Sequence, residues 1–184
     1  MLNTIGEWID PDQKAFWNFE FSLWNSAGLF LSALLLFLRS NPIREAFWFL
    51  DGVDLIIHEA GHPLFGAFGI SFVGFLGGTL MQLIMPIAFY VYFLRHTQPK
   101  SADICLFWIG QNFLNVGRYM ADARAQEMPL LGGEHDWAYM LDEVGLLRFD
   151  TVLGHLMDFL GCTLIAFSIY GLYVHFRERR RTNP

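Results

Sequence analysis

Apolar residues run along this chain in long blocks, and charge interrupts them at few points. Residues 21–38 carry no Asp, Glu, Lys or Arg, and neither do residues 60–94. About 20 mostly apolar residues carry a helix across the hydrocarbon of a bilayer, so the second block is too long for a single crossing. Gly69, Ile70 and Ser71 offer a break inside it. The pattern predicts an all-α, polytopic integral membrane bundle of about five transmembrane helices, at about 19–38, 46–69, 72–94, 103–122 and 151–176. Polar residues enter the second half of the fourth. Trp8, Phe16 and Trp17 make residues 1–18 an outer interfacial segment, because indoles favour the headgroup level. Residues 123–150 read as a polar, acidic outer loop and residues 177–184 as a basic cytoplasmic tail. The whole of 1–184 is then one transmembrane domain. Gly74, Gly77 and Gly78 suit close helix packing, and Pro86 suits a kink in the same span.

Composition agrees. Of the 184 residues 54% are hydrophobic and only 16% charged, against roughly 25% charged in soluble domains. That excludes a disordered chain and a disulfide scaffold. The net charge of −6 argues against nucleic acid as a partner. Cys105 and Cys162 both sit in apolar runs and read as small core residues. The acidic N-terminus does not look like a secretory signal. Lys and Arg concentrate on the cytoplasmic side of membrane proteins. With the N-terminus outside and the C-terminus inside, Arg39, Arg44, Arg95, Lys100, Arg177, Arg179, Arg180 and Arg181 are cytoplasmic, and only Lys14, Arg118, Arg124 and Arg148 are outside. The small size and the absent signal suit a bacterial inner membrane, with membrane lipids as the surroundings.

The chemistry sits in the second span, in His58-Glu59-Ala60-Gly61-His62. Residues four apart share a helix face, so His58 and His62 can hold one Zn²⁺ between them. Glu59 is placed to take a proton from a water that the metal activates. Two His and a Glu within an apolar span are costly unless paired or metal-bound. Pro63 follows directly and favours a bend at His62. A catalytic zinc uses three protein ligands, and two candidates stand for the third. His135 lies in the glycine-containing segment Leu131-Gly132-Gly133-Glu134-His135-Asp136-Trp137. Asp122 ends a polar stripe of Gln111, Asn115, Arg118 and Asp122, spaced four, three and four along one helical face. Asp54 lies on about the same face as His58 and can orient an imidazole; Asp51, one turn earlier, can also simply mark the cytoplasmic helix end. His155 and Asp158 are three apart and can pair with each other or relay protons. His96 and His175 fall at the cytoplasmic ends. The orientation drawn from charge brings the motif, Asp122, His135 and His155 to the outer half of one bundle.

His58, Glu59 and His62 inside a transmembrane span resemble the motif of site-2-protease-type intramembrane zinc metalloproteases. That resemblance implies zinc held by the two His and by an Asp of a later span, with the Glu activating water to cut a peptide bond within the membrane. Asp122 is the matching Asp in order along the chain, with Asn115 upstream, but Ala123 follows it where the family has Gly. The function expected is an integral-membrane zinc-dependent hydrolase, an intramembrane metallopeptidase acting on a membrane protein or peptide, with Arg118 or Arg124 available to stabilise an oxyanion. A hydrolase of lipids or other amphiphiles would use the same residues. A non-catalytic scaffold would instead fill the zinc shell with His58, His62, Asp122 and His135 together.

Overall fold

A computed structural model of the chain describes residues 48–131 and 133–182. The predicted interfacial segment 1–18 and first span 19–38 lie outside the described residues. Every described element is helical: α1 Trp48–Gly66, α2 Ser71–Arg95, α3 Pro99–Ala121, α4 Asp136–Glu143 and α5 Asp150–Thr182, with a 3₁₀ turn Leu147–Phe149 before α5. The long helices fall on the four apolar segments from 46 onwards. Two stretches, Ser71–Arg95 and Leu147–His175, are long and apolar enough to cross a membrane.

Short connections set the neighbours. α1 turns into α2 through Gly69, whose φ of +72° is the left-handed backbone that a residue without Cβ adopts freely. α2 turns into α3 through Thr97, at φ 55°. α2 packs against both α1 and α3, α3 packs along α5, and α1 meets α3 through side-chain hydrogen bonds at Asp51 and Asp54. Glycines allow these close approaches. A Cβ at Gly61 would collide with the Gly77 carbonyl oxygen, and one at Gly78 would lie 2.6 Å from Nε2 of His58. Between α3 and α5, Gly110 meets Gly161 and Gly117 meets Gly154, so the two helices run antiparallel. α2 runs unbroken through Pro86, and α1 continues past Pro63 to Gly66.

Burial is inverted relative to a water-soluble bundle. The buried residues of α1 are Asp54, His58 and Gly61, while Ile56 and Leu64 are 73% and 57% exposed. In α2, Gly77, Gly78, Thr79 and Gln82 are buried and Ile84, Ile87 and Phe89 are exposed. Polar groups facing inwards and apolar ones facing outwards is the arrangement that a hydrocarbon solvent favours. Cys105 and Cys162 are both buried, as their apolar settings suggest.

The segment 123–150 is more than a loop. His135 caps α4, accepting from the Ala138 N–H, and Asp136 in the first turn complements the positive end of the helix dipole. Leu141 joins a core cluster with Val116, Met120 and Ala123, against which Trp137 and Ala138 pack. Phe75 of α2 stacks on Tyr139 at 4.2 Å. These contacts fix the start of α4 over the open side between α1 and α3.

Candidate metal centre

The helical spacing of α1 sets His58, Glu59 and His62 together. One potential ligand atom from each lies within 4.8 Å of the others. The two imidazole rings meet edge to face, with centroids 4.9 Å apart. Each ring is oriented by a partner on α2. Nδ1 of His62 is 3.0 Å from the carbonyl oxygen of Gly74. A carbonyl only accepts, so this nitrogen carries the proton. Nδ1 of His58 is 3.2 Å from Oε1 of Gln82. The Gln82 amide is itself oriented by donating through Nε2 to Oδ1 of Asn115 at 2.9 Å, so its oxygen is free to accept from His58. With Nδ1 so engaged, both rings direct Nε2 away from α2, and this is the nitrogen that a neutral ring would offer to a metal.

The group that meets those two nitrogens is Asp136, the first residue of α4. Its Oδ2 is 2.8 Å from Nε2 of His58 and 3.4 Å from Nε2 of His62. The contact is satisfied either by a proton on His58 Nε2, donated to Oδ2 of Asp136, or by a cation that all three groups share. Protonating both rings would set two cations side by side at 4.9 Å. One divalent ion satisfies all three groups at once. Ligand distances of about 2.0–2.1 Å in a tetrahedral site place neighbouring ligand atoms about 3.3 Å apart; the His62–Asp136 contact at 3.4 Å matches this, and the His58–Asp136 contact at 2.8 Å is shorter. Two His and one carboxylate are also a donor set of catalytic zinc sites. The residues fit such an ion.

Asp136 is itself held in place. Tyr119 of α3 accepts from the Asp136 N–H at 3.1 Å, and its hydroxyl donates towards Oδ2 at 3.4 Å. The Tyr119 ring stacks on His135 at 4.2 Å and meets His58 edge-on at 5.9 Å. His135 uses Nδ1 to cap α4 and points Nε2 at Oδ2 of Asp122, 3.5 Å away. Burial pushes the His135 pKa down, against the pull of the Asp122 carboxylate, so the ring is neutral at pH 7. Asp122 accepts from the backbone N–H groups of Glu127 and Met128, both at 3.0 Å. The two residues expected as third ligands thus face each other at 3.5 Å, and Asp122 curls the loop. The structure does not bring them to the imidazole pair, and it brings Asp136 there instead. Successive side chains leave a helix N-terminus in different directions. Once His135 caps α4, Asp136 is the residue that faces α1.

The three groups open on a cavity of about 840 Å³ between α1 and α3, with Leu55, Phe75, Arg118 and the segment Met128–Leu131 in its walls. That volume is in the range of ligand pockets. Glu59 lines the same cavity beside His58. No protein-family model, curated protein or solved structure matches the chain. The reading of the centre therefore rests on its own geometry.

The remaining sequence expectations divide. Asn115 acts on His58 through Gln82. Asp54 does not orient His58 as expected: it is fully buried and accepts from Trp108 at 2.8 Å and Asn112 at 3.2 Å. Asp51 accepts from Gln111 at 2.6 Å. Arg118 lines the cavity, whereas Arg124 is away from it, paired with Asp150 at 2.7 Å. His155 and Asp158 lie 3.4 Å apart on α5, and neither lines the cavity. Sequence reasoning missed Asp136, Gln82 and Tyr119. Gln82 did carry a signal, as an amide inside an uncharged apolar run. Asp136 had one too, as the neighbour of a residue already singled out.

Proposed function

We propose that this chain is a membrane-embedded zinc hydrolase, a peptidase, in which His58, His62 and Asp136 hold the ion and Glu59 is the general base. The observation that carries it is the meeting of two imidazole nitrogens and a buried carboxylate oxygen beside Glu59, in the wall of an open cavity. Zinc held there would acidify a water molecule and polarise a carbonyl. Glu59 takes the proton from the attacking water and passes it to the leaving amine as the C–N bond breaks. Gln82 and Gly74 keep both imidazoles turned towards the cavity. Three donors from the chain are the number that a catalytic zinc uses, and the mutual engagement of Asp122 and His135 speaks against a closed four-ligand structural site.

The burial of polar groups in α1 and α2 and the two long apolar helices support a polytopic bundle, with further spans at α1 and α3. The distribution of Lys and Arg supports an outer N-terminus, a cytoplasmic C-terminus and an active site in the outer half of a bacterial inner membrane.

Metal content of the detergent-purified protein tests the assignment. The expected result is one zinc per chain in the wild type, lost in H58A and D136N, retained in E59Q, and retained with weaker affinity in D122A. Peptide turnover in E59Q falls by about 10²–10⁴-fold, the usual contribution of a general base. Full zinc in D136N, or full turnover in E59Q, would overturn the reading.

A further inference from the structure

Arg118 stands in the wall of the cavity. Among the described residues no carboxylate oxygen lies within 4.0 Å of its guanidinium, although Asp51, Glu59, Glu134 and Asp136 line the same cavity. Two of these acids are engaged elsewhere: Asp51 accepts from Gln111, and Asp136 faces His58 and Tyr119. Two other arginines close to this end of the bundle are differently placed. Arg124 grips Asp150 through two nitrogens, at 2.7 and 2.8 Å. Arg148 lies over the Phe149 ring at 4.5 Å. Arg118 is also the one Lys or Arg among the described residues that line the cavity.

Its place on α3 is informative. Asn115, three residues earlier on the same face, bonds Gln82, which orients His58. Tyr119, the next residue, holds Asp136. Arg118 therefore stands between the two side chains that position the metal-binding groups. An arginine that faces a cavity from a membrane helix marks a functional group. Its planar fork matches a carboxylate through two parallel hydrogen bonds.

We propose that Arg118 is the anion subsite of this cavity and binds a carboxylate side chain of the peptide substrate beside the scissile bond. The substrate's being a peptide rests on the function proposed above. Gln82, Asn115 and Glu134 line the cavity beside Leu55, Phe75 and the segment Met128–Leu131, and an apolar peptide with one acidic side chain fits such a mixed wall.

The test reads binding, so that it does not depend on turnover. Two fluorescent ten-residue apolar peptides, identical except for a central Glu or Gln, are titrated into the detergent-solubilised E59Q protein, zinc-loaded and metal-free. The Glu peptide is expected to bind at least tenfold more tightly than the Gln peptide in both forms. R118Q abolishes that preference. R118E reverses it in favour of a peptide with a central Lys, a gain that a misfolded protein would not show. Equal binding of the two peptides to the parent, or a preference that survives R118Q, overturns the proposal. So does displacement of the Glu peptide by phosphatidylglycerol but not by phosphatidylcholine, which would give the subsite to a lipid headgroup. An equal loss of both peptides in R118Q, as expected of an oxyanion donor or a purely structural residue, overturns it as well. If the metal assignment fails instead, zinc is absent and the Glu preference remains in the metal-free protein.

Discussion

His58 and His62 each direct Nδ1 at an acceptor of α2, Gln82 Oε1 or Gly74 O, and Nε2 at Oδ2 of Asp136. Groups that orient metal-binding side chains contribute about 10–100-fold in metal affinity. Q82L removes the acceptor for His58 and is expected to weaken zinc binding by about that factor. Y119F keeps the ring stacked on His135 but removes the hydroxyl that contacts Asp136, and is expected to do the same. Competition titration against a chelator of known affinity reads both effects. The cobalt-substituted protein adds a visible spectrum that follows the ligand set. Wild-type affinity and spectrum in both variants would show that Asp136 and His58 are held by something else.

The helices make different demands of their glycines. Gly78 provides space for a side chain, since an added Cβ would lie 2.6 Å from Nε2 of His58. Gly117 provides space for a backbone, since its Cβ would lie 2.7 Å from the Gly154 carbonyl oxygen. G78A is therefore expected to lose zinc while the far-ultraviolet circular dichroism is unchanged, because the imidazole can turn away and the helices need not. G117A forces α3 and α5 apart. It is expected to lower stability by about 1–3 kcal/mol, the usual cost of overpacking, and to leave zinc stoichiometry intact. Thermal unfolding and metal analysis on both variants separate the two effects, and the reverse pattern would refute this division. α4 shows why a short helix was read as loop. The spacing of Trp137, Met140, Leu141 and Val144 is that of one helical face, but only eight residues carry it, and Asp136 and Glu143 at its ends look like the rest of an acidic connection.

At the scale of the described residues, two helices, Ser71–Arg95 and Leu147–His175, are long and apolar enough to cross a membrane, and α1 and α2 bury Asp54, His58, Thr79 and Gln82 while exposing Ile56, Leu64 and Ile84. Glu127 precedes α5 and Thr182 ends it, so a single crossing by α5 sets these positions on opposite faces. With Cys105 and Cys162 replaced by Ala, E127C is expected to react with an impermeant maleimide added to intact cells. T182C is expected to react only after the cells are opened. Labelling of both from one side would mean that α5 does not span. Reversed labelling would invert the orientation and move the centre to the cytoplasmic half.

Local properties were readable in the order of residues. Helical class follows from apolar blocks of spanning length, and the pairing of His58 with His62 follows from a four-residue spacing that every α-helix turns into one face. Both are properties of a single element. Arg118 was on the right helix face, but its separation in role from Arg124 depends on Asp150, which is 26 residues beyond Arg124. The third donor depends on how α4 is capped and on which of two adjacent side chains then faces α1. Gln82 and Tyr119 became parts of the centre because α2 packs beside α1 and α3 closes the far wall. Such relations arise only when elements distant in sequence are packed together, because no local rule of spacing or hydropathy connects one helix's imidazoles with another's carboxylate.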